Sequence, residues 1–147
     1  MPIAYVDTSA FIKRFLPENG SSEMDGFAQS GAHRLTISSL TITEFRSVMK
    51  RRLRERMIDR VFVQAATGQL LQEIASGALR FHAIDAATFN LAGELIDTLE
   101  SPLATLDALH LACAKATGAA LLVSADRQLL QAAREATIPV LDLSAQA

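Results

Sequence analysis

Five short runs rich in β-formers, Ile3 to Val6, Arg34 to Ser38, Leu79 to Ile84, Ala120 to Ser124 and Ile138 to Leu143, are separated by segments of helical period. This alternation constrains the chain more than any other feature. Consecutive strands separated by helices are read as parallel neighbours, because a parallel pair needs a long crossover and a helix supplies it. The expected fold is α/β, a mostly parallel five-stranded sheet with helices on both faces. The helical segments run from Ser9 to Leu16, Ser21 to Ser30, Thr41 to Arg56, Arg60 to Ser76, Ala86 to Glu100, Leu103 to Thr117 and Arg127 to Ala136. In the third of these, Ile42, Phe45, Met49 and Leu53 recur at three and four residues, the spacing of one buried helical face. Two helices lie between the second and third strands, which predicts a helical hairpin projecting from the sheet. Pro17 with Asn19-Gly20 marks a turn, Gly77 a helix stop and Ser101-Pro102 a helix start.

A chain of 147 residues, half of them hydrophobic, matches one ordinary domain over 1–147, with no linker, repeat or low-complexity tract. The net charge of −2 gives no global attraction for polyanions, so a nucleic-acid partner has to be held by a local patch or through a metal. Cys113 is the only cysteine, which excludes an internal disulfide and a thiolate zinc site and is compatible with a reducing cytoplasm. The N-terminus lacks the basic lead of a secretory signal, and no uncharged apolar stretch approaches the roughly 18 to 20 residues of a membrane span. A soluble, cytoplasmic protein with no membrane partner is expected.

Four carboxylates, Asp7, Glu44, Asp107 and Asp126, each stand where an apolar run gives way to a helix, in AYVDTSAF, SSLTITEF, LATLDALHLA and LLVSADRQLL. Singly, each has an ordinary explanation, since acids are favoured at helix N-termini. Thr41 and Glu44 match the capping box Thr-x-x-Glu. Together they mean more. In a parallel sheet the helix starts that follow strands emerge at one edge, beside the crevice where such folds bind ligands. Four acids gathered there repel one another unless a cation or a proton is taken up. Mg²⁺, with Mn²⁺ as a substitute, satisfies an all-oxygen site. Such an ion suits phosphodiester hydrolysis, because it can acidify a bound water and neutralise charge on a phosphate. Thr8 and Ser9 place hydroxyls beside Asp7, where they either hold a water or phosphate oxygen or cap the helix.

In order and spacing, VDTSAF, the mid-chain TxxEF, LDALHLA and LLVSAD resemble the PIN-domain ribonucleases, particularly VapC-type toxins of toxin-antitoxin pairs, over Ile3 to Leu143. The resemblance implies a magnesium-dependent endoribonuclease toxin with catalytic Asp7, Glu44, Asp107 and Asp126. Asp7 and Asp107 would be the direct metal ligands, and Glu44 and Asp126 would act through water. It further implies an RNA substrate, a cognate antitoxin and a homodimer. Phe11, Phe15, Leu16, Ile42, Phe45 and Met49 would then supply an apolar interface, unless core packing consumes them. One departure is visible: many relatives carry an arginine shortly before the third acid, where this chain reads SPLATL. Arg127 is the candidate to replace it.

The basic run Lys50, Arg51, Arg52, Arg54, Arg56 and Arg60 lies beyond Glu44. Three uses are open to it: gripping an RNA backbone, above all through Arg51 and Arg52, docking an acidic antitoxin segment, or forming a solvated helix end. His110, three residues after Asp107, shares its helical face. A zinc reading would need further nitrogen or sulfur ligands, so packing or a hydrogen bond behind the acids is its expected role. Asp59, Asp85, Asp97 and Asp142 read as caps and surface charge.

Two rivals remain. A phosphoacceptor or phosphohydrolase domain also presents a strand-end aspartate, but the phosphatase pattern wants a second acid where Ser9 stands. A receiver-type domain wants an acidic pair before Asp7, where Tyr5 and Val6 stand. A catalytically silent scaffold that binds RNA or protein would not need all four acids.

Overall fold

The computed structural model describes residues 1–144. Its centre is a five-stranded, all-parallel sheet in the order β3-β2-β1-β4-β5, with β1 Ile3–Val6, β2 Arg34–Ser38, β3 Arg80–His82, β4 Leu121–Ser124 and β5 Val140–Asp142. Strand β1 is central because it is apolar on both faces: Ala4, Tyr5 and Val6 are all fully buried. Side-chain alternation sorts it. Ala4 and Val6 join Ile37 and Val123 in one core, while Tyr5 joins Leu122 in the other.

The handedness of parallel crossovers decides which helices cover which core. From β1 to β3 the chain moves one way across the sheet, and the connecting helices α1 Thr8–Phe11, α2 Ser21–Ser30, α3 Ser39–Arg54 and α4 Arg60–Ser76 bring Phe11, Met24, Phe45, Met49 and Leu70 to the first core. From β3 to β5 it moves the other way, so α5 Ala86–Thr98, α6 Thr105–Ala116 and α7 Arg127–Glu135 cover the opposite face with Leu95, Leu111 and Leu129. The direction reverses between β1 and β4. Their C-terminal ends therefore flank the crevice where strand order switches.

Several expectations change. The segment from Ser9 to Leu16 divides into α1 and a 3₁₀ turn, Ile12–Arg14, as Pro17 disfavours helical backbone just before it. The two outer strands, β3 and β5, are shorter than the sequence suggests because each pairs on one side only. The α3–α4 hairpin does not project. Its Phe45, Met49, Ala66 and Leu70 lie in the first core against the sheet.

The aromatic residues offered above as a dimer face are also spent here. Phe11, Leu16, Phe45 and Met49 are buried within the chain, and Phe15 and Ile42 pack against them, with the Phe15 and Phe45 rings edge to face at 5.2 Å. Gly20 adopts φ 88° in the turn that starts α2, and Gly77 φ 81° where α4 stops, both left-handed positions that glycine takes without strain. Among the described residues no helix is long and apolar enough to cross a membrane.

Candidate metal centre

Asp7 follows β1 directly and caps α1, its Oδ1 accepting from the Ala10 amide at 3.0 Å. It is the most enclosed of the four acids, 3% exposed. Ser9 donates to it at 2.8 Å, and Ser124, at the end of β4, donates to Oδ2 at 2.6 Å. Ser124 Oγ in turn accepts from the Asp126 amide at 2.9 Å. The ends of the two switch-point strands are thus tied together through the carboxylate. Burial pushes the Asp7 carboxyl up from its ordinary value, against the pull of His110 and of the Ser124, Ala10 and Ser9 donors.

Glu44 comes from α3. The capping box expected for it does not form: α3 begins at Ser39 with Ser38 as its N-cap, three residues before the position the box requires, so Glu44 lies beyond the first turn. Its Oε1 instead accepts from Thr8 Oγ1 at 2.7 Å and sits 2.8 Å from His110 Nε2. Burial would raise this carboxyl, but the His110 and Thr8 hydrogen bonds outweigh it and hold the carboxyl below the usual range. For His110 burial works the other way, and the Glu44 hydrogen bond with the charges of Asp7, Glu44 and Asp107 overcomes it, raising the imidazole above its ordinary value. The two shifts agree: Glu44 and His110 favour the charged pair.

Asp107 stands in the first turn of α6. Among the described residues no hydrogen-bond donor reaches its carboxylate, and its pKa is pushed up from 3.8 to about 6, first by burial, then by the charge of Asp126, with Asp7 and Glu44 adding to it. The Asp107 carboxyl therefore feels the charges of the other three. Asp126 caps α7, accepting from the Gln128 and Leu129 amides at 2.9 and 3.1 Å.

The other sequence candidates fall into place around this frame. Thr8 and Ser9 have their hydroxyls engaged internally, Thr8 with Glu44 and Thr41 and Ser9 with Asp7 and the Ala125 amide. Arg51 and Arg52 line a hollow of about 340 Å³ with Thr8, Ser9 and Glu44. Arg51 is exposed, whereas Arg52 is paired with Glu18 at 3.4 Å. Arg127 is exposed at the start of α7. A larger hollow of about 770 Å³ lies at the α3–α4 turn, and its one acid, Asp59, is the cap of α4.

Tyr5 and Ser38, both fully buried, join the site without having been expected there. Tyr5 Oη is 2.7 Å from His110 Nδ1 and 2.9 Å from Ser38 Oγ. The available signal was spacing, Tyr5 two residues before Asp7 on a strand and His110 three after Asp107 on a helix.

Among the described residues no three His, Cys, Asp or Glu side chains form a ready cage for an ion. The crevice offers instead an all-oxygen set in which the Asp107 carboxylate lacks a donor and is crowded by like charge. That fits a hard cation such as Mg²⁺, which keeps most of its waters and takes few direct carboxylates. It does not fit zinc, since Cys113 is buried in the far core and His82 bonds Thr88.

No curated protein matches the chain in sequence. The fold is shared with VapC20 of Mycobacterium tuberculosis, a sarcin-ricin-loop-cleaving toxin, at TM-score 0.67 and 19% identity, covering 88% of this chain and 94% of that one. FitAcB of Neisseria gonorrhoeae superposes at TM-score 0.68 with 17% identity over 98% of this chain and 100% of that one. A toxin-antitoxin complex from Klebsiella pneumoniae superposes at 0.64 with 17% identity, covering 95% and 97%. The PIN domain family model matches residues 4–135, from the central strand to the end of the last helix, and the chain belongs to the PIN-domain family.

Proposed function

We propose that this chain is a divalent-metal-dependent endoribonuclease that hydrolyses RNA phosphodiester bonds and acts as the toxin of a toxin-antitoxin pair. The observation that carries the reading is the Asp107 carboxyl, which no donor reaches among the described residues and which burial and the charges of Asp126, Asp7 and Glu44 push up to about 6. Asp7 and Asp107 would hold Mg²⁺ directly, and Glu44 and Asp126 through water. When bound, the ion supplies an acidified water and neutralises charge on the phosphate.

The chain's own groups do the rest. Ser9, Ser124 and the Ala10 amide fix both Asp7 oxygens, so this ligand is preorganised and loses little freedom when a cation arrives. Glu44 spends Oε1 on Thr8 and His110, which leaves Oε2 to orient a water. Arg51, beside Glu44 in the same hollow, is placed for a backbone phosphate. The likeness to VapC20, FitAcB and the Klebsiella complex supports the toxin reading and an antitoxin partner. A homodimer belongs to the same reading. With the early apolar residues packed into the core, exposed apolar side chains that could serve it include Phe89, Ile96 and Leu106 of α5 and α6 and Val61 and Leu71 of α4.

The test is cleavage of an end-labelled RNA pool with Mg²⁺ and with EDTA. Wild type cuts only with the metal, and Asp7→Asn, which keeps the size and the cap but loses the charge, cuts at least about 100-fold more slowly, the upper end of what disturbing a metal centre costs. Cutting in EDTA, or an Asp7→Asn variant as fast as wild type, refutes the proposal.

A further inference from the structure

We propose that Tyr5 and His110 form a buried positioning strut that sets Glu44 and holds α6 against β1, so that the acids meet at the spacing a cation requires. The inference rests on the metal-centre reading above and assigns roles to two residues that touch neither ion nor substrate.

The geometry is a continuous chain. Ser38 Oγ lies 2.9 Å from Tyr5 Oη, Tyr5 Oη 2.7 Å from His110 Nδ1, and His110 Nε2 2.8 Å from Glu44 Oε1. Its inner members are sealed: Ser38 and Tyr5 are fully buried and His110 is 3% exposed. The ends of the strut lie on the elements that bear the acids. Tyr5 is two residues before Asp7 in the extended run of β1, and His110 is one turn after Asp107 on α6. The Tyr5–His110 bond joins partners 105 residues apart and the His110–Glu44 bond partners 66 apart. One imidazole therefore fixes three separate elements, β1, α3 and α6, relative to one another.

Packing alone does not set such a register. The Tyr5 and His110 rings are tilted at 53° with centroids 5.8 Å apart, in contact mainly through their polar edges. Around them α6 contributes Ala108, Leu111, Ala112 and Cys113 to an apolar core whose contacts are non-directional. The directional bonds remove that freedom. They also divide the labour of Glu44, with Oε1 bound to the fold and Oε2 left to the crevice. Partners that orient a metal-site carboxylate from behind are typically worth about 10- to 100-fold in affinity or rate.

Three variants separate this from ordinary core packing. Tyr5→Phe removes one hydroxyl and leaves the ring. His110→Gln keeps an amide N–H for Glu44 but loses the Tyr5 bond, and His110→Ala loses both. Mn²⁺ affinity is read by calorimetry on the full chain, with melting temperature, and kcat and KM on RNA, in parallel.

Expected is a graded loss: Tyr5→Phe and His110→Gln weaken Mn²⁺ binding about 10-fold and His110→Ala about 100-fold. kcat falls in the same order, while KM for RNA holds within about twofold. Wild-type Mn²⁺ affinity in Tyr5→Phe, or losses that track melting temperature rather than this order, overturns the strut. A wild-type chain that binds Mn²⁺ but cuts no RNA defeats the nuclease reading alone, since metal affinity still decides the strut. A wild-type chain that binds no Mn²⁺ defeats both.

Discussion

Replacing Asp107 by Asn should make the metal-free protein more stable at neutral pH while destroying its response to Mg²⁺. The Asp107 carboxyl titrates near 3.8 when unperturbed and at about 6 in the fold. A raised value in the folded state means that folding favours the protonated form. The associated stability is fully present below 3.8 and is lost as pH climbs through about 6. The gap corresponds to about 3 kcal/mol at 1.36 kcal/mol per pH unit, and solvent screening of a half-exposed carboxyl reduces that to about 1.5 kcal/mol. Against it stands the gain of about 0.3 to 1 kcal/mol that an ionised acid draws from the first turn of a helix.

Crowding wins, by about 1 kcal/mol. In EDTA at pH 7.5 Asp107→Asn should therefore melt about 2 to 4 °C above wild type, and the advantage should vanish at pH 4. Mg²⁺ should then raise the wild-type melting temperature, because a ligand bound only by the native state stabilises it, and leave the variant unmoved. Thermal melts followed by circular dichroism at the two pH values, with and without Mg²⁺, decide the matter. A variant no more stable than wild type at pH 7.5 would refute the reasoning, for it would mean that neither burial nor the neighbouring acids burden the Asp107 carboxylate.

Ser124→Ala removes a donor to Asp7 and an acceptor for the Asp126 amide, so it should cost about 1 to 3 kcal/mol in urea unfolding; a change under about 0.3 kcal/mol would show the link to be slack. Arg51→Ala should weaken RNA binding evenly across sequences and lower the slope of log affinity against log salt by about one, measured by fluorescence anisotropy between low and moderate salt. An unchanged slope would remove Arg51 from the phosphate path. Arg56 takes φ 59° just beyond α3, a left-handed position that costs an ordinary residue about 1 kcal/mol, so Arg56→Gly should raise stability by about 0.5 kcal/mol after glycine's greater unfolded-state freedom is subtracted. A fall in melting temperature would contradict that account.

The central strand β1 was legible residue by residue, because a strand buried on both faces is written as an unbroken apolar run, and β2 was legible from the β-formers Leu35, Thr36 and Ile37. The outer strands were overestimated, since their limits depend on a neighbour on one side only. Helix ends failed where a side chain could cap in more than one place: Thr41 and Glu44 carry the letters of a capping box, yet α3 starts earlier at Ser38 and frees Glu44 to meet His110. That Asp7 and Asp126 lie at one edge, linked through Ser124, followed from topology, as helix starts after parallel strands share an edge; Asp107, on a helix that follows another helix, and Glu44, beyond the first turn of α3, were not placed by that rule. The Tyr5–His110–Glu44 chain was not legible. It depends on how α6 is rotated relative to β1, which is settled by packing across a hundred residues and leaves no local trace.

The Ser124–Asp7 hydrogen bond closes across 117 residues and joins the first strand to the fourth. On the ribosome Asp7 is made well before β4, which flanks the side of β1 opposite β2, and before Asp126 just beyond it. Long-range pairing of this kind is slow and must follow synthesis of both halves. The acids proposed to hold a cation therefore cannot be assembled until β4 has been made and paired with β1.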